Sequence, residues 1–352
     1  MKAVDQTKPI LVTGGTGYLA SWIIQQLLDQ GFEVRTTVRN LAQKDKYAHL
    51  TQLAVKSRGI FQVFEADLLK PGSFRAAMSG CELVIHTASP FIISGVKNAQ
   101  KELVEPALQG TRNVLETVNE TETVQRVVLT SSVVAVFGDA IEITKTEKGI
   151  FTEEHWNTTS STKHQPYSYS KTLAEKLAWE MAKKQDRWDL VVINPGFIMG
   201  PSLSKRTDST SIGIMIQLAT GKFKSGVPSG EMGFVDVRDV ARAHVLAGLS
   251  PTASGRHICV ADHKSCLDFA NAVRAKYPQY PLPKGFVPKG LFWLIAPLAG
   301  FTRKYVKLNV GIDLKFDNSY IRKDLKMDFL PFETTVSDHF GQLINDGIIK
   351  KK

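Results

Sequence analysis

The stretch that most limits what this chain can fold into lies near its start. Ile10-Leu11-Val12 is a short apolar run that breaks into Thr13-Gly14-Gly15-Thr16-Gly17-Tyr18-Leu19-Ala20, after which Trp22, Ile23, Gln26, Leu27 and Leu28 recur at helical spacing up to Gly31. Strand, glycine turn and helix in that order begin a βαβ unit. Within it, Gly15-x-Gly17-x-x-Ala20 fits the dinucleotide fingerprint. The first small residues permit a tight turn and close approach of the backbone to a pyrophosphate, and the last lets the helix pack on the strand. Free N–H groups at the positive end of the helix then favour the anion.

The second predicted strand, 33–38, ends in Val38-Arg39-Asn40, where an NAD site would carry Asp or Glu for the ribose hydroxyls. Arg39 suits a 2′-phosphate instead, with Lys44 or Lys46 able to add to it, so the expected cofactor is NADPH/NADP+. A third strand, 60–64, leads into Ala66-Asp67-Leu68, where Asp67 can accept from the adenine amino group. A fourth, 83–86, ends in Thr87-Ala88-Ser89-Pro90, beside the expected cofactor, and His86 is read as a core residue. A long helix follows over 98–119. The fifth strand, 126–130, is followed directly by Ser131 and Ser132, and a serine at a strand exit can donate to a substrate oxygen.

Residues 141–165 are polar and poorly periodic and read as a long loop over the same sheet edge, after which Pro166 opens a helix. Four residues apart just inside it stand Tyr167 and Lys171, on one helical face. A cation at about 4 Å is worth roughly 4 kcal/mol at an effective dielectric of 20. Lys171 is therefore expected to pull the phenol below its usual pKa near about 10 and equip it for proton exchange. A sixth strand, 189–194, stops at Pro195-Gly196. Beyond Pro201 the alternation loosens into a short helix (212–220), a brief strand (234–236), a helix (237–249) and a return to the sheet (257–260), and the proline-rich remainder is irregular. The expected fold class is α/β: a Rossmann-type doubly wound parallel sheet over 1–200, then a smaller substrate-binding part over 201–352, of which 234–262 returns to the main sheet.

Charge and cysteine content exclude other classes. The formal balance is +10, from 44 Lys and Arg against 34 Asp and Glu, but the basic residues are scattered apart from the terminal Lys350-Lys351-Lys352, so no nucleic-acid partner is expected. Cys81, Cys259 and Cys266 form no disulfide framework, which points to a reducing cytoplasm. His257, Cys259, His263 and Cys266 match no common zinc spacing, and no metal is expected. The longest apolar run, 290–301, is too short to span a bilayer and reads as a packed helix, with a membrane-surface role as the alternative.

Together, Thr13 to Ala20, Thr37-Val38-Arg39, Ala66-Asp67-Leu68, Leu129-Thr130-Ser131-Ser132, Tyr167-x-x-x-Lys171 and Asn194-Pro195-Gly196 make the chain resemble the extended short-chain dehydrogenase/reductase family over nearly its whole length. It is most similar to the branch holding dihydroflavonol reductases, cinnamoyl-CoA reductases and microbial aldehyde or ketone reductases. The resemblance implies a catalytic Ser132, Tyr167 and Lys171, with Tyr167 as proton donor, Ser132 on the carbonyl oxygen and Lys171 on the nicotinamide ribose. It implies cofactor contacts from Thr13, Gly14, Gly15, Thr16, Gly17, Tyr18, Leu19, Arg39, Lys46, Asp67, Leu68, Thr87, Ala88, Ser89, Pro195, Gly196 and Ile198, as well as Tyr167 and Lys171. Departures narrow the substrate. Dihydroflavonol reductases place Asn or Asp five residues after the serine, where this chain has Phe137, and cinnamoyl-CoA reductases place Asn-Trp before the tyrosine, where it has Gln165-Pro166. The expected substrate is a small aliphatic or aryl aldehyde or ketone against Phe91, Phe137 and Phe197, unless those rings are core, and the protein is expected to be a monomer or homodimer. A 3β-hydroxysteroid dehydrogenase or a sugar-nucleotide epimerase or dehydratase would share these motifs, and a non-enzymatic NADP(H) sensor would usually lack the triad.

Overall fold

The computed structural model describes residues 4–89 and 96–352. Seven strands form the main sheet: β1 (Ile10–Thr13), β2 (Glu33–Val38), β3 (Ile60–Glu65), β4 (Leu83–His86), β5 (Arg126–Thr130), β6 (Asp189–Pro195) and, much later in the chain, β9 (Gly255–Cys259). Their order is β3-β2-β1-β4-β5-β6-β9 and every pairing is parallel. The inner strands are mostly buried, β1 and β4 at every residue, which is why those two read as continuous apolar runs. The edge strand β3 is exposed at Ile60 and alternates. The order reverses between β1 and β4, and ligands of open α/β sheets gather at the carboxyl ends beside such a switch point.

Two cores sandwich this sheet. On one face Ile23, Ile24, Leu27 and Leu28 of the helix Tyr18–Asp29 meet Val240, Ala241 and Ala243 of the helix Val237–Leu249. On the other, Val114, Leu115 and Val118 of the helix Glu105–Glu120 meet Leu177, Ala178 and Met181 of the helix Pro166–Ala182. Truncating a fully buried leucine such as Leu27 to alanine costs about 2–5 kcal/mol.

A second sheet, in the order β10-β8-β7, joins β7 (Phe197–Met199), β8 (Glu231–Asp236) and β10 (Asp262–Ser265). Of the stretch 234–262 expected to return to the main sheet, β9 joins it and the helix Val237–Leu249 covers it, whereas β8 lies in this second sheet. The reason is visible in the alternation of β8. Val235 faces the main-sheet core, while Phe234 faces a separate core with Phe269, Phe332 and Phe340.

Other differences are local. The long helix after β4 opens with a π turn over Gln100–Val104, and a 3₁₀ segment, Ala140–Lys145, interrupts the loop 141–165. The apolar run 290–301 is not packed all round. It forms the helix Lys289–Ile295 and a 3₁₀ turn, Ala296–Ala299, in which Phe292 and Ala296 face inward and Leu291, Trp293, Leu294 and Leu298 are exposed. An apolar run without a polar face carries no signal for which side is covered.

Candidate active site

The glycine loop is shaped by what its neighbours leave no room for. Gly14 has φ +71°, and a Cβ there would lie 2.9 Å from the Ala88 Cβ; a Cβ on Gly15 would overlap the Thr36 side chain. The Thr87-Ala88 turn after β4 is pinned to the same place, Thr87 Oγ1 donating to Thr13 O at 2.7 Å and Ala88 N to Thr13 Oγ1 at 3.2 Å. The helix Tyr18–Asp29 begins at Gly17 without a side-chain cap, so its N-terminal amides remain for an anion. A backbone cradle with no room for side chains, next to an uncapped helix start, fits a dinucleotide pyrophosphate. Tyr18 donates to Gly200 O at 2.5 Å and Trp22 to Pro201 O at 2.8 Å, tying the turn after β7 to this helix. Ile198 packs partly buried against the main core, and Pro195 and Gly196 close β6 beside it.

Across the switch point, the two serines after β5 separate. Ser131 is buried and its hydroxyl donates to Glu175 Oε2; Ser132 is half-buried, and its Oγ accepts a long 3.3 Å bond from Val134 N. Ser131 is thereby committed to the interior, leaving Ser132 as the hydroxyl with spare bonding capacity. Lys171 Nζ donates to Thr130 O at 3.0 Å, and Ala88, Ser89, Thr130 and Lys171 line one cleft. This brings the glycine-loop side and the lysine together.

Burial sets the ionisation of these groups. It pushes the Tyr167 phenol up to about 12, contrary to the downward pull expected from Lys171. It brings Lys171 down to about 8, with Glu175 opposing that shift. His86 shares a 2.8 Å hydrogen bond with Thr13 and is driven to about 3, by burial first and Lys171 second, so it is neutral and structural.

Two further groups belong to the helix that carries the tyrosine or to its start; the sequence names Gln165 only as a departure from a relative's pattern and Glu175 not at all. Glu175 is 1% exposed and accepts from Ser131, from Asn194 Nδ2 at 2.8 Å and from Arg256 Nε at 2.6 Å. It follows Lys171 by one helical turn, so the spacing that selected Tyr167 and Lys171 also marks it. Gln165, in the left-handed region at φ 52°, anchors the start of the Tyr167 helix by donating to Gly138 O at 2.7 Å and Asp139 Oδ1 at 2.8 Å. Asp139 is buried and also accepts from His164 and Asn309. No sequence pattern marks that long-range cluster.

The remaining expected residues fall as follows. Arg39 is exposed at the end of β2 with no ion pair among the described residues, and Lys46 is exposed in the 3₁₀ turn Lys44–Lys46 that follows. Asp67 is exposed after β3, its Oδ1 accepting from Leu69 N at 2.8 Å, while Leu68 packs against the second core face. Phe137 is buried in a ring cluster with Phe151 and Phe316, at centroid distances of 5.3 and 5.6 Å, and is core. Phe197 is partly buried, edge-on to Phe269. Phe91 lies outside the described residues. No cluster of His, Cys, Asp and Glu among the described residues can hold a metal; His257 instead pairs with Asp324 at 2.7 Å.

The pattern of the NAD dependent epimerase/dehydratase family matches residues 10–261. The chain belongs to this family, the extended short-chain dehydrogenase/reductases. It is 40% identical over 276 residues to tetraketide alpha-pyrone reductase 2 of Arabidopsis thaliana, covering 77% of this chain and 83% of that one. It is 34% identical over 350 residues to tetraketide alpha-pyrone reductase 1 of the same plant, covering 98% of both. The crystal structure of Gre2 with NADPH from Candida albicans superposes with TM-score 0.78 at 28% identity, covering 96% of this chain and 99% of that one. This extended short-chain dehydrogenase/reductase is thus an NAD(P)-dependent oxidoreductase, a reductase close to the plant and aldehyde or ketone reductases of its family. Its cofactor is a nicotinamide dinucleotide. Among the described residues no helix is long and apolar enough to cross a membrane.

Proposed function

We propose that the protein is an NADPH-dependent reductase of a small aldehyde or ketone, with Tyr167 as proton donor. The observation that carries this reading is the split of the serine pair. Ser131 is turned inward to Glu175, and Ser132 is left half-buried next to the strand whose last residue, Thr130, holds Lys171. The backbone around Gly14, Gly15 and Gly17 and the uncapped helix start would hold the pyrophosphate, with Thr87, Ala88 and Ser89 alongside. Exposed Arg39 and Lys46 support a 2′-phosphate, and Asp67 keeps one carboxylate oxygen for the adenine amino group. The cofactor, when bound, supplies the hydride.

Ser132 Oγ–H donates to the carbonyl oxygen of the substrate and stabilises the negative charge that develops there. Tyr167 is protonated throughout the neutral range because burial raises its pKa to about 12, so it can donate to that oxygen as it becomes an alkoxide. Lys171, cationic below about 8, stabilises the phenolate left behind. Gln165 and Asp139 fix the helix start that orients the phenol. Phe197 supports an apolar wall for the substrate; Phe137, being core, supports none directly.

The test is NADPH oxidation, followed by absorbance, with a panel of aldehydes, ketones and steroids. Oxidation with a small aldehyde or ketone is the expected result. Oxidation with steroids alone favours the hydroxysteroid dehydrogenase reading, and binding of NADPH with no oxidation by any compound favours a sensor.

A further inference from the structure

We infer that the apolar tip built by the helix Lys289–Ile295, the turn Ala296–Ala299 and the helix Arg303–Asn309 is a docking surface for the face of an anionic lipid bilayer. The inference rests on this surface and not on the proposed reaction. A small core of Phe292, Ala296, Val306 and Val310 holds the two helices together. Outward from it point Leu291, Trp293, Leu294, Ile295, Leu298 and Phe301, with Leu294 60% and Leu298 92% exposed. A contiguous apolar patch of this kind, rimmed by polar groups, marks an interaction site.

The rim identifies the partner. Lys284, Lys289, Arg303, Lys304 and Lys307 are all exposed, and no Asp or Glu occurs anywhere from 269 to 312. The Arg303 guanidinium lies over the Trp293 ring at 4.5 Å, and the Phe301 ring stacks on Tyr305 at 5.3 Å. Leucines at the apex, a tryptophan beside them and cations around the edge are the order in which acyl chains, the interfacial zone and anionic headgroups are met on approach to a membrane. A second copy of the chain fits less well, because two such rims face to face would set cation against cation. The tip is also joined to the frame of the active site. Asn309 accepts from Ala140 N at 2.8 Å and donates to Asp139 at 2.7 Å, and Asp139 in turn accepts from Gln165, two residues before Tyr167.

Co-sedimentation of the full chain with vesicles tests this. With phosphatidylcholine vesicles containing about 30% phosphatidylglycerol the protein is expected to pellet, and with pure phosphatidylcholine to bind about tenfold or more weakly. Leu294→Glu with Leu298→Glu should lose about tenfold or more of the binding to anionic vesicles, because the apolar contact is gone. Arg303→Glu with Lys304→Glu should erase the preference for anionic over neutral vesicles. Both pairs are exposed, and an unchanged thermal melt and NADPH affinity show that the variants fold. Equal binding of wild type and the Leu294/Leu298 variant, or pelleting with neither vesicle, overturns the inference. So does a wild-type dimer, seen by sedimentation velocity without lipid, that the Leu294/Leu298 variant splits into monomers.

Discussion

Lys171 Nζ donates to the carbonyl oxygen of Thr130 at 3.0 Å, so the helix that carries the tyrosine is fastened to the last residue of the strand that leads into the serine pair. Burial at this junction lowers the Lys171 pKa to about 8. The ammonium is therefore present below that value and lost as pH rises through it. Reductive turnover at saturating cofactor is expected to fall through about pH 8, while NADPH affinity changes less. A rate that stays level from about pH 6 to 9.5 contradicts a working role for the charge.

The two serines should behave oppositely. Ser132→Ala is expected to lower turnover by about 10²-fold with little change in unfolding midpoint. Ser131→Ala removes a donor to a buried carboxylate, so it should cost about 1–3 kcal/mol of stability and keep turnover within a few-fold. Urea unfolding and steady-state kinetics on both variants check this, and a reversed pattern would move the oxyanion contact to Ser131.

Glu175→Gln leaves the buried Arg256 guanidinium without its anion. The expected loss is about 3–5 kcal/mol, read from urea unfolding. A loss below about 1 kcal/mol would show that Arg256, stacked at 3.8 Å on Trp156, needs no carboxylate.

Much of this architecture is legible in the sequence because the inner strands are buried on both faces and the turns between them are punctuated by glycine and proline. The helix expected over 237–249 is the observed Val237–Leu249. What escaped has a physical pattern. Ser132 is named through the family resemblance alone, because the contact that separates the two serines, Ser131 to Glu175, spans 44 positions and leaves no local mark. The direction of the Tyr167 shift depends on burial, which spacing does not report. β8 divides its faces between two cores, and a run of three residues, Phe234-Val235-Asp236, cannot announce that. The run 290–301 holds no polar residue, so periodicity does not report which side of it is exposed.

Arg39→Glu tests the cofactor phosphate. Removing the cation and adding an anion at the exposed end of β2 should raise KM for NADPH by about 10²-fold and leave KM for NADH level or lower. Unchanged discrimination in coupled assays with both cofactors would place the phosphate elsewhere.

The most direct test of the central claim is Tyr167→Phe, measured twice on one preparation: NADPH binding by fluorescence titration, and single-turnover oxidation of bound NADPH by the best carbonyl substrate of the wild type. The ring is retained, so binding should be unchanged, while loss of the proton donor should slow oxidation by about 10²-fold or more. Near-normal oxidation by this variant contradicts the account, because the proton must then come from a group other than Tyr167.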